Sequence, residues 1–278
     1  MEKKRMKTGA FLRRYGRIIV SGTVLFCIAM VALFAGVIAD HDPNLIDVKN
    51  ANIRPCEEYK FGTDTFGRDI FSRVIYGSRV SLGISIAVNA CAIVIGSFLG
   101  LLCGFYKWWD RILMRLLEGL ATLPTILIAI VMVTILGPGV GKLITVLVLV
   151  NLPGIARLVR QRVMSIKETE FVESAKASGA TDLRLMIKYI LPQTLSPLII
   201  RFTNGLGATV LTQASMSFLG VGLDPRIPTW GGIVNEGRLL VMVYPYQVVY
   251  AGVAIAITVF AFAIMGDGVR DVLDPTLR

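Results

Sequence analysis

The chain has 278 residues, of which 54% are hydrophobic and only 17% are charged, and its formal net charge is +10. A soluble domain carries about 25% charged residues, so this composition excludes an ordinary soluble globular protein. The basic residues flank the apolar stretches, which membrane orientation and anionic lipid explain better than nucleic-acid binding does.

The chain begins with a basic segment and continues with apolar stretches of membrane-spanning length. Residues 1–17 contain seven Lys or Arg together with Phe11, Leu12 and Tyr15, a pattern typical of an amphipathic helix at a membrane surface. A helix needs about 20 residues to cross about 30 Å of hydrocarbon. Six stretches come close to this length: Ile18–Ala39, Val80–Tyr106, Gly119–Gly141, Leu143–Val159, Phe202–Leu223 and Leu239–Met265. The sequence therefore predicts an all-α integral membrane protein with six transmembrane helices.

The distribution of Lys and Arg predicts how these helices are oriented. With the N-terminus in the cytoplasm, nineteen Lys and Arg fall in cytoplasmic segments and nine fall on the opposite side. Cytoplasmic loops carry the excess of positive charge, so we expect both termini in the cytoplasm. The predicted divisions are a cytoplasmic segment 1–17, a first transmembrane helix 18–39, an extracytoplasmic loop 40–79, a five-helix core 80–266 that includes a cytoplasmic loop 160–194, and a cytoplasmic tail 267–278.

Charges of alternating sign lie close together in the external loop, at Asp64, Arg68, Asp69 and Arg73. A catalytic reading would pair the two carboxylates as acid and base. The favoured reading is a set of charges on a solvated loop, which order the loop or contact a partner.

The transmembrane stretches carry small and polar residues in particular places. Gly96, Gly100 and Gly104 recur at four-residue spacing, which predicts a helix face that another helix can approach closely. Prolines in two stretches predict kinks that face protein, beside Thr122 and Asn151. The fifth stretch is rich in hydroxyl and amide groups, including Thr209, Thr212 and Gln213. These five polar residues, from Thr122 to Gln213, are candidates for a water-filled translocation path. The alternative is that they lie at a subunit interface.

A polar island lies between residues 160 and 194. Ser165-x-x-Glu168 predicts a capping box at the start of a short helix, and Gly179 suits the turn that ends it. Thr181 or Asp182 would then cap a second helix, which Pro192 helps to terminate. The island is therefore predicted to be a helix–turn–helix segment that leaves the membrane and binds a cytoplasmic partner.

No catalytic, metal or nucleotide site is predicted in this chain. The turn Gly137-Pro-Gly-Val-Gly-Lys142 looks like a phosphate loop, but Leu136 replaces its first glycine and Leu143 its hydroxyl residue. His41 is the only histidine and has no companions at metal-ligand spacing. We therefore expect no cofactor in this chain.

The polar island also carries the residues of a known family signature. The permease subunits of binding-protein-dependent ABC importers share E-A-A, three residues, G, nine residues and I-x-L-P. This chain has Glu173, Ser174, Ala175, Gly179, Leu191 and Pro192 in register, with Tyr189 where the signature has Ile. Other motifs resemble the peptide and nickel branch of that family: Phe61-Gly-Thr-Asp64, Gly67-Arg-Asp69, Met216-Ser-Phe-Leu-Gly220, Trp230-Gly231, Gly266-Asp-Gly268, Arg270-Asp271 and Asp274-Pro275.

The resemblance implies a non-enzymatic permease subunit in a bacterial inner membrane, with several partners. A second, related permease would complete the path, and two ATPase subunits would bind the ATP and Mg²⁺. The docking residues that the resemblance implies are Glu173, Ser174, Ala175, Lys176, Ala177, Gly179, Leu191 and Pro192. An external substrate-binding protein would meet a lip that carries Asp64, Arg68, Asp69 and Trp230.

The implied substrates are peptides, with nickel chelates and glutathione as alternatives. A secondary transporter or a scaffold membrane protein remains the competing class. Scarce charge near the middle of the spans argues against a secondary transporter, because proton- and sodium-driven transporters usually carry ionisable residues or broken helices there.

Overall fold

The computed structural model describes residues 8–273, and its first long helix begins within the predicted basic segment. Helix α1 runs over Thr8–Leu33 and is followed, after a break at Phe34, by the short helix α2, Ala35–Ile38. The predicted segment 1–17 therefore lies partly outside the described residues, and its remainder belongs to α1. The predicted first span, 18–39, corresponds to the end of α1 together with α2.

The segment before the second long helix is shorter than the predicted loop 40–79, because helix α3 begins at Ile70 and runs to Phe105. Before it lie a 3-10 turn, Val48–Asn50, and an isolated bridge between Thr63 and Asp69. The Asp69 carboxylate caps α3 by accepting hydrogen bonds from the backbone N–H groups of Phe71 and Ser72. This cap starts the helix ten residues before the predicted loop 40–79 ends. At about 1.5 Å per residue, α3 is longer than the hydrocarbon layer, so we infer that its first turns project beyond it.

The predicted third span, 119–141, is broken rather than straight. After α3 come α4, Lys107–Trp109, a π-helical turn, Asp110–Met114, and α5, Arg115–Ala121. Helix α6, Thr125–Leu136, follows a three-residue break, and the two halves are bent by 93°. Pro124 lies in the break, where its missing N–H and the restriction that it places on the preceding residue oppose a continuous helix.

Helix α7, Val140–Lys167, extends well beyond the predicted span 143–159 and continues through Pro153. It includes Ser165, so the predicted capping box at Ser165 and Glu168 is wrong. The short helix α8 runs over Glu170–Ala177, and Thr169 occupies its N-cap position without a side-chain cap.

The predicted termination at Pro192 is also wrong. Helix α9, Asp182–Arg184, leads through a π-helical turn, Leu185–Ile190, into α10, Leu191–Phe218. Pro192 lies in the first turn of α10, where the N–H that proline lacks is not needed for an intrahelical bond. The second helix of the island is therefore the start of a long helix and not a separate element.

The C-terminal part consists of a short helix and a long one. Helix α11 runs over Trp230–Gly237, followed by a 3-10 turn, Arg238–Leu240, and α12, Tyr246–Leu273. Helix α12 starts seven residues later than the predicted span 239–265, just after Pro245. The predicted tail 267–278 begins inside α12, and residues 274–278 with the Asp274-Pro275 motif lie outside the described residues. No β-strand is present between residues 8 and 273, so the all-α prediction is confirmed.

The centre of the fold is the packing of α3 against α7, with α10 beside it and α12 packed on α10 and α1. The predicted glycine face forms this seam. A Cβ added at Gly96 would lie 2.7 Å from Ile155 Cγ2, and one added at Gly100 would lie 2.6 Å from Val159 Cβ. Gly104 approaches Val163 in the same way. The missing side chains therefore let the two helices approach closely.

Within residues 8–273, four helices are long and apolar enough to cross a membrane, or five if the bent α5–α6 pair is one span. The four are parts of α1 (from Tyr15), α3, α7 and α12. Helix α10 has 28 residues and is long enough, but its many hydroxyl and amide side chains lower its hydropathy. The membrane-protein prediction is confirmed, and the number six stays a prediction.

Candidate coupling and translocation sites

Helix α8 is a short helix with little contact to the rest of the chain. Val172 is its only buried residue, with 3% of its surface exposed. Phe171 is largely exposed, and its ring lies 5.4 Å from the ring of Tyr189. Ala175 packs partly against the main core. One narrow face therefore holds α8 on the protein, and the rest of its surface is open.

The end of α8 has the geometry that glycine favours. The Gly179 N–H donates to the Lys176 carbonyl at 3.0 Å, and the Ala180 N–H donates to the Ala175 carbonyl at 3.1 Å. These two bonds form a Schellman motif, in which the residue after the helix adopts a left-handed conformation. Gly179 has φ +82°, and a Cβ there would meet nothing within 4 Å. The predicted turn is confirmed, and the space around Gly179 is free.

Most of the predicted docking residues form one exposed surface. Glu173, Ser174, Lys176, Ala177 and Gly179 are exposed, and Ala175 is half-buried. Leu191 and Pro192 lie at the start of α10, where Leu191 packs against the core and Pro192 is exposed. The signature residues therefore fall into two groups, one on the exposed end of α8 and one in the first turn of α10.

Polar contacts join the elements beside α8, namely α7, the end of α3 and the start of α9. The Arg160 guanidinium on α7 makes a bidentate contact with Asp110, with Nη2 donating to Oδ2 at 2.7 Å. Lys167 Nζ donates to the Phe105 carbonyl at 2.8 Å, and the Tyr106 hydroxyl donates to Asp182 at 3.2 Å. Beside these contacts lies a groove of about 790 Å³, which α8 lines with Glu173, Lys176 and Ala177. The end of α3 and the island are thus joined around an open groove.

On the other side of the molecule, the external charges form a buried network. Arg68 Nε donates to Asp64 Oδ2 at 2.7 Å, and Arg68 Nη2 donates to Glu236 Oε2 at 2.6 Å. Arg73 Nη2 donates to the same Glu236 oxygen at 2.9 Å. Burial raises the pKa of the Glu236 carboxyl, and the guanidiniums of Arg73 and Arg68 act in the opposite direction. This network ties the segment before α3 to α11.

The predicted external contact residues are all buried in this chain. Asp64, Arg68, Asp69 and Trp230 are 6%, 5%, 3% and 2% exposed, respectively. Trp230 Nε1 donates to the Val74 carbonyl at 3.0 Å, and its ring lies over Gly77. The expectation that these charges are solvated is therefore wrong, whereas the expectation that they order the loop agrees with their hydrogen bonds. Glu236 was missed, since it lies 168 residues from Arg68 and no local pattern marks it.

The five candidate path residues do not lie together. Asn151 lines a cavity of about 350 Å³ between the α5–α6 bend, α7 and α10. Thr122 is exposed in the bend beside this cavity. On α10, the Thr209 hydroxyl accepts a hydrogen bond from Asn89 of α3, and Gln213 is buried with Nε2 unpartnered. Thr212 is half-buried and donates to the Ala208 carbonyl. The cavity also contains two arginines that were not among the candidates, Arg157 and Arg201.

No grouping of three or more His, Cys, Asp or Glu suited to a metal ion occurs between residues 8 and 273. The external carboxylates Asp64 and Glu236 are instead occupied by the guanidiniums of Arg68 and Arg73.

This architecture is that of a helical membrane protein with an exposed short helix, α8, and comparison with known proteins identifies its family. Residues 92–278 match the family model described as "Binding-protein-dependent transport system inner membrane component". The chain belongs to this family and is an ABC importer permease, a type of subunit that is not itself catalytic. Members of the family work with ATPase subunits and substrate-binding proteins in a membrane.

The relatives define the branch more closely. The chain is 41% identical over 273 residues to the glutathione transport system permease protein GsiD of Escherichia coli O6:K15:H31 (strain 536 / UPEC), covering 96% of this chain and 90% of the relative. The protein of the same name from Shigella boydii serotype 4 (strain Sb227) has the same identity and coverage. The fold is similar to a chain in a solved structure of the MetNI methionine ABC transporter in inward-facing conformations. That match has a TM-score of 0.61 and 21% identity, and covers 73% of this chain and 96% of the other.

Proposed function

We propose that this permease forms half of the import path for small peptides or peptide-like molecules such as glutathione. The identity of 41% to permeases named for glutathione transport, over 96% of the chain, supports this substrate class. A second, related permease would form the other half, and an external binding protein would deliver the substrate. Nickel chelates are the alternative cargo, and a chelated metal would not need ligands from this chain.

The coupling of transport to ATP is assigned to α8. Its exposed surface, formed by Glu173, Ser174, Lys176, Ala177 and Gly179, is small enough in profile to enter a cleft on an ATPase subunit. The single observation that carries this assignment is the open space around Gly179 at the end of an exposed helix. ATP and Mg²⁺ would be bound by two ATPase subunits, one below each permease.

The proposed cycle uses α8 as a rigid connection. Closure of the ATPase pair would move α8, which follows α7 after only two residues, Glu168 and Thr169. The contacts of Arg160 with Asp110 and of Lys167 with Phe105 would then pass the movement from α7 to the end of α3. A ligand shifts a two-state equilibrium only by its different affinity for the two states, so the docked helix must bind the closed ATPase pair more tightly. Hydrolysis would then return the permeases to the inward-open state.

The proposed topology follows from the same assignment. Helix α8 must lie in the cytoplasm to meet an ATPase, which places the buried network around Glu236 on the external side. Both termini are then cytoplasmic, as the distribution of Lys and Arg favours. The segment from residue 40 to α3, together with α11, forms the surface offered to the binding protein, although Asp64, Arg68, Asp69 and Trp230 themselves point inward.

The test of coupling is the substitution Gly179→Asp in the complete importer. The new side chain occupies the open docking surface, so we expect the permease to insert normally but to lose both transport and co-purification of the ATPase. Gly137→Asp is the matched control, because Gly137 also has a positive φ, +79°, and its nearest neighbour is the flexible end of Lys142 at 3.5 Å. Transport should persist in that control.

Two results would reject the assignment of α8. Loss of Gly179→Asp protein from the membrane would indicate a folding role, and normal ATPase recovery with normal transport would show that docking occurs elsewhere. Substrate class is tested separately, by uptake of radiolabelled glutathione, dialanine and a nickel chelate into proteoliposomes that contain the whole importer. Uptake of the nickel chelate alone would contradict the peptide assignment.

A further inference from the structure

The cavity beside the α5–α6 bend contains two arginines from different helices. Arg157 comes from α7 and Arg201 from α10, and both line the space of about 350 Å³. Its remaining walls are mainly apolar, with side chains such as Leu120, Ile128 and Met132. Two cationic groups therefore share an otherwise apolar cavity.

Neither guanidinium is neutralised by the described part of the chain. No hydrogen bond or ion pair joins Arg157 or Arg201 to any residue between 8 and 273. Arg160, one turn along α7, differs in this respect, since it makes a bidentate contact with Asp110. Arg157 is exposed and Arg201 is half-buried. Ionisable residues on membrane-spanning helices commonly mark a path for ions or substrates.

The backbone at this point is arranged to admit a ligand. Gly154 removes a side chain where Arg201 crosses α7, and a Cβ there would lie 3.4 Å from Arg201 Nη2. Pro153 has no N–H, so the Leu149 carbonyl lacks its usual helical donor. Leu149 and Pro153 both line the cavity. The site thus offers two guanidiniums as donors beside a surface of α7 that Gly154 leaves open.

From the helix bounds, we infer that the two arginines lie at a similar depth. Each is seventeen residues from the external end of its helix, Val140 for α7 and Phe218 for α10. At 1.5 Å per residue this is about 25 Å, close to the cytoplasmic boundary of a hydrocarbon layer of about 30 Å. A single ligand that leaves the membrane region towards the cytoplasm could therefore meet both side chains.

We propose that Arg157 and Arg201 bind a carboxylate of the transported substrate as it leaves the path. Guanidinium is the group best matched to a carboxylate in geometry, through paired N–H donors. This inference rests on the proposed function, because peptides and glutathione carry carboxylates. A phosphate of an anionic lipid offers similar chemistry, so the experiment separates these two sources.

The first part of the experiment measures the electrostatic potential of the cavity. Asn151→Cys is introduced into the importer after the four native cysteines are changed to serine, and the complex is placed in phosphatidylcholine vesicles. An anionic methanethiosulfonate should modify this thiol at least about tenfold faster than its cationic analogue does. Arg157→Gln with Arg201→Gln should abolish the preference, and replacing both by Lys should retain it. Leu239→Cys, at an exposed position on the proposed external side, is the control. Its ratio of modification rates by the two reagents should be the same with and without the two arginines.

The second part identifies the ligand. Millimolar dialanine or glutathione should slow modification at residue 151, whereas dialanine amide, which lacks the carboxylate, should not. Equal protection by dialanine and its amide, or no protection by any of them, would overturn the proposal. Protection that appears only when phosphatidylglycerol is added would assign the site to lipid and would also overturn it.

These measurements do not require transport and can fail independently of the proposed function. If glutathione and dialanine are taken up but neither protects residue 151, the peptide importer stands and the arginine site is rejected. If no peptide is taken up while dialanine still protects, the carboxylate site stands and the assigned cargo is rejected.

Discussion

The buried network around Glu236 and the exposed helix α8 represent opposite ways of using polar residues. Asp64, Arg68, Arg73 and Glu236 pair with one another and are largely removed from solvent. Helix α8 buries a single side chain, Val172, and leaves its charged residues exposed. The polar groups of the first region find their partners within this chain, whereas the second region is the surface that we propose an ATPase subunit covers. The difference suggests that substitutions in the first region affect stability, whereas those in the second affect assembly.

The largest expected effect on stability is that of Glu236→Ala. The change leaves the buried guanidiniums of Arg68 and Arg73 without their shared partner, which costs about 3–5 kcal/mol for a buried pair. Thermal unfolding of the purified protein in detergent measures the loss. Asp224→Ala is the matched control, since its partner Arg226 is 86% exposed and a surface pair contributes only about 0–1 kcal/mol. Equal effects of the two changes would show that the external network is not buried.

A smaller effect is expected at the seam between α3 and α7. Gly100→Val would place methyl groups against Val159 and the Ala156 carbonyl, and overpacking of this kind costs about 1–3 kcal/mol. Gly83→Val, in the same helix but with nothing within 4 Å of its added Cβ, should change stability little. The same unfolding assay compares them. Similar melting temperatures would contradict the close approach of the two helices.

The cap of α11 should contribute less again. Thr229 Oγ1 accepts a hydrogen bond from the Gly232 N–H at 3.1 Å, and removing such a cap costs about 1 kcal/mol. Thr229→Ala should therefore lower stability modestly, and Thr229→Ser should preserve it. Unfolding curves for the two variants that coincide would show that the hydroxyl does not act as a cap.

The smallest effect on stability is expected on α8. Lys176→Ala removes an exposed side chain, so the free energy of unfolding should change by no more than about 0.5 kcal/mol. Recovery of the ATPase with the permease should nevertheless fall, because Lys176 belongs to the proposed docking surface. A large loss of stability with unchanged ATPase recovery would show that Lys176 contributes to folding and not to docking, which contradicts the proposed difference between the two regions.

Local features could be predicted from the sequence, and long-range partners could not. Gly179 was predicted to end a short helix, and the glycines of α3 were predicted to allow a close approach, because both depend on backbone space that only glycine leaves. Glu236 could not be assigned to Arg68, since pairing across 168 residues depends on how α11 folds back onto α3.

The errors in helix boundaries have physical causes. Charged residues near Arg73 were placed in a loop, because their burial beside Glu236 has no local signature. Pro192 was expected to end a helix, whereas a π-helical turn before it allows α10 to continue. Pro124 indicated a kink, and the structure has a bend of 93° there, which divides the predicted span into two helices.

The most direct test of the central claim is photo-crosslinking at Lys176 in the intact importer. A benzophenone amino acid replaces Lys176 on α8, and Lys49, also exposed but on the proposed external side, serves as the control. We predict that position 176 crosslinks to the ATPase subunit and position 49 does not. Crosslinking of the ATPase from position 49, or its absence from position 176 in a complex that still hydrolyses ATP and transports, would contradict the account.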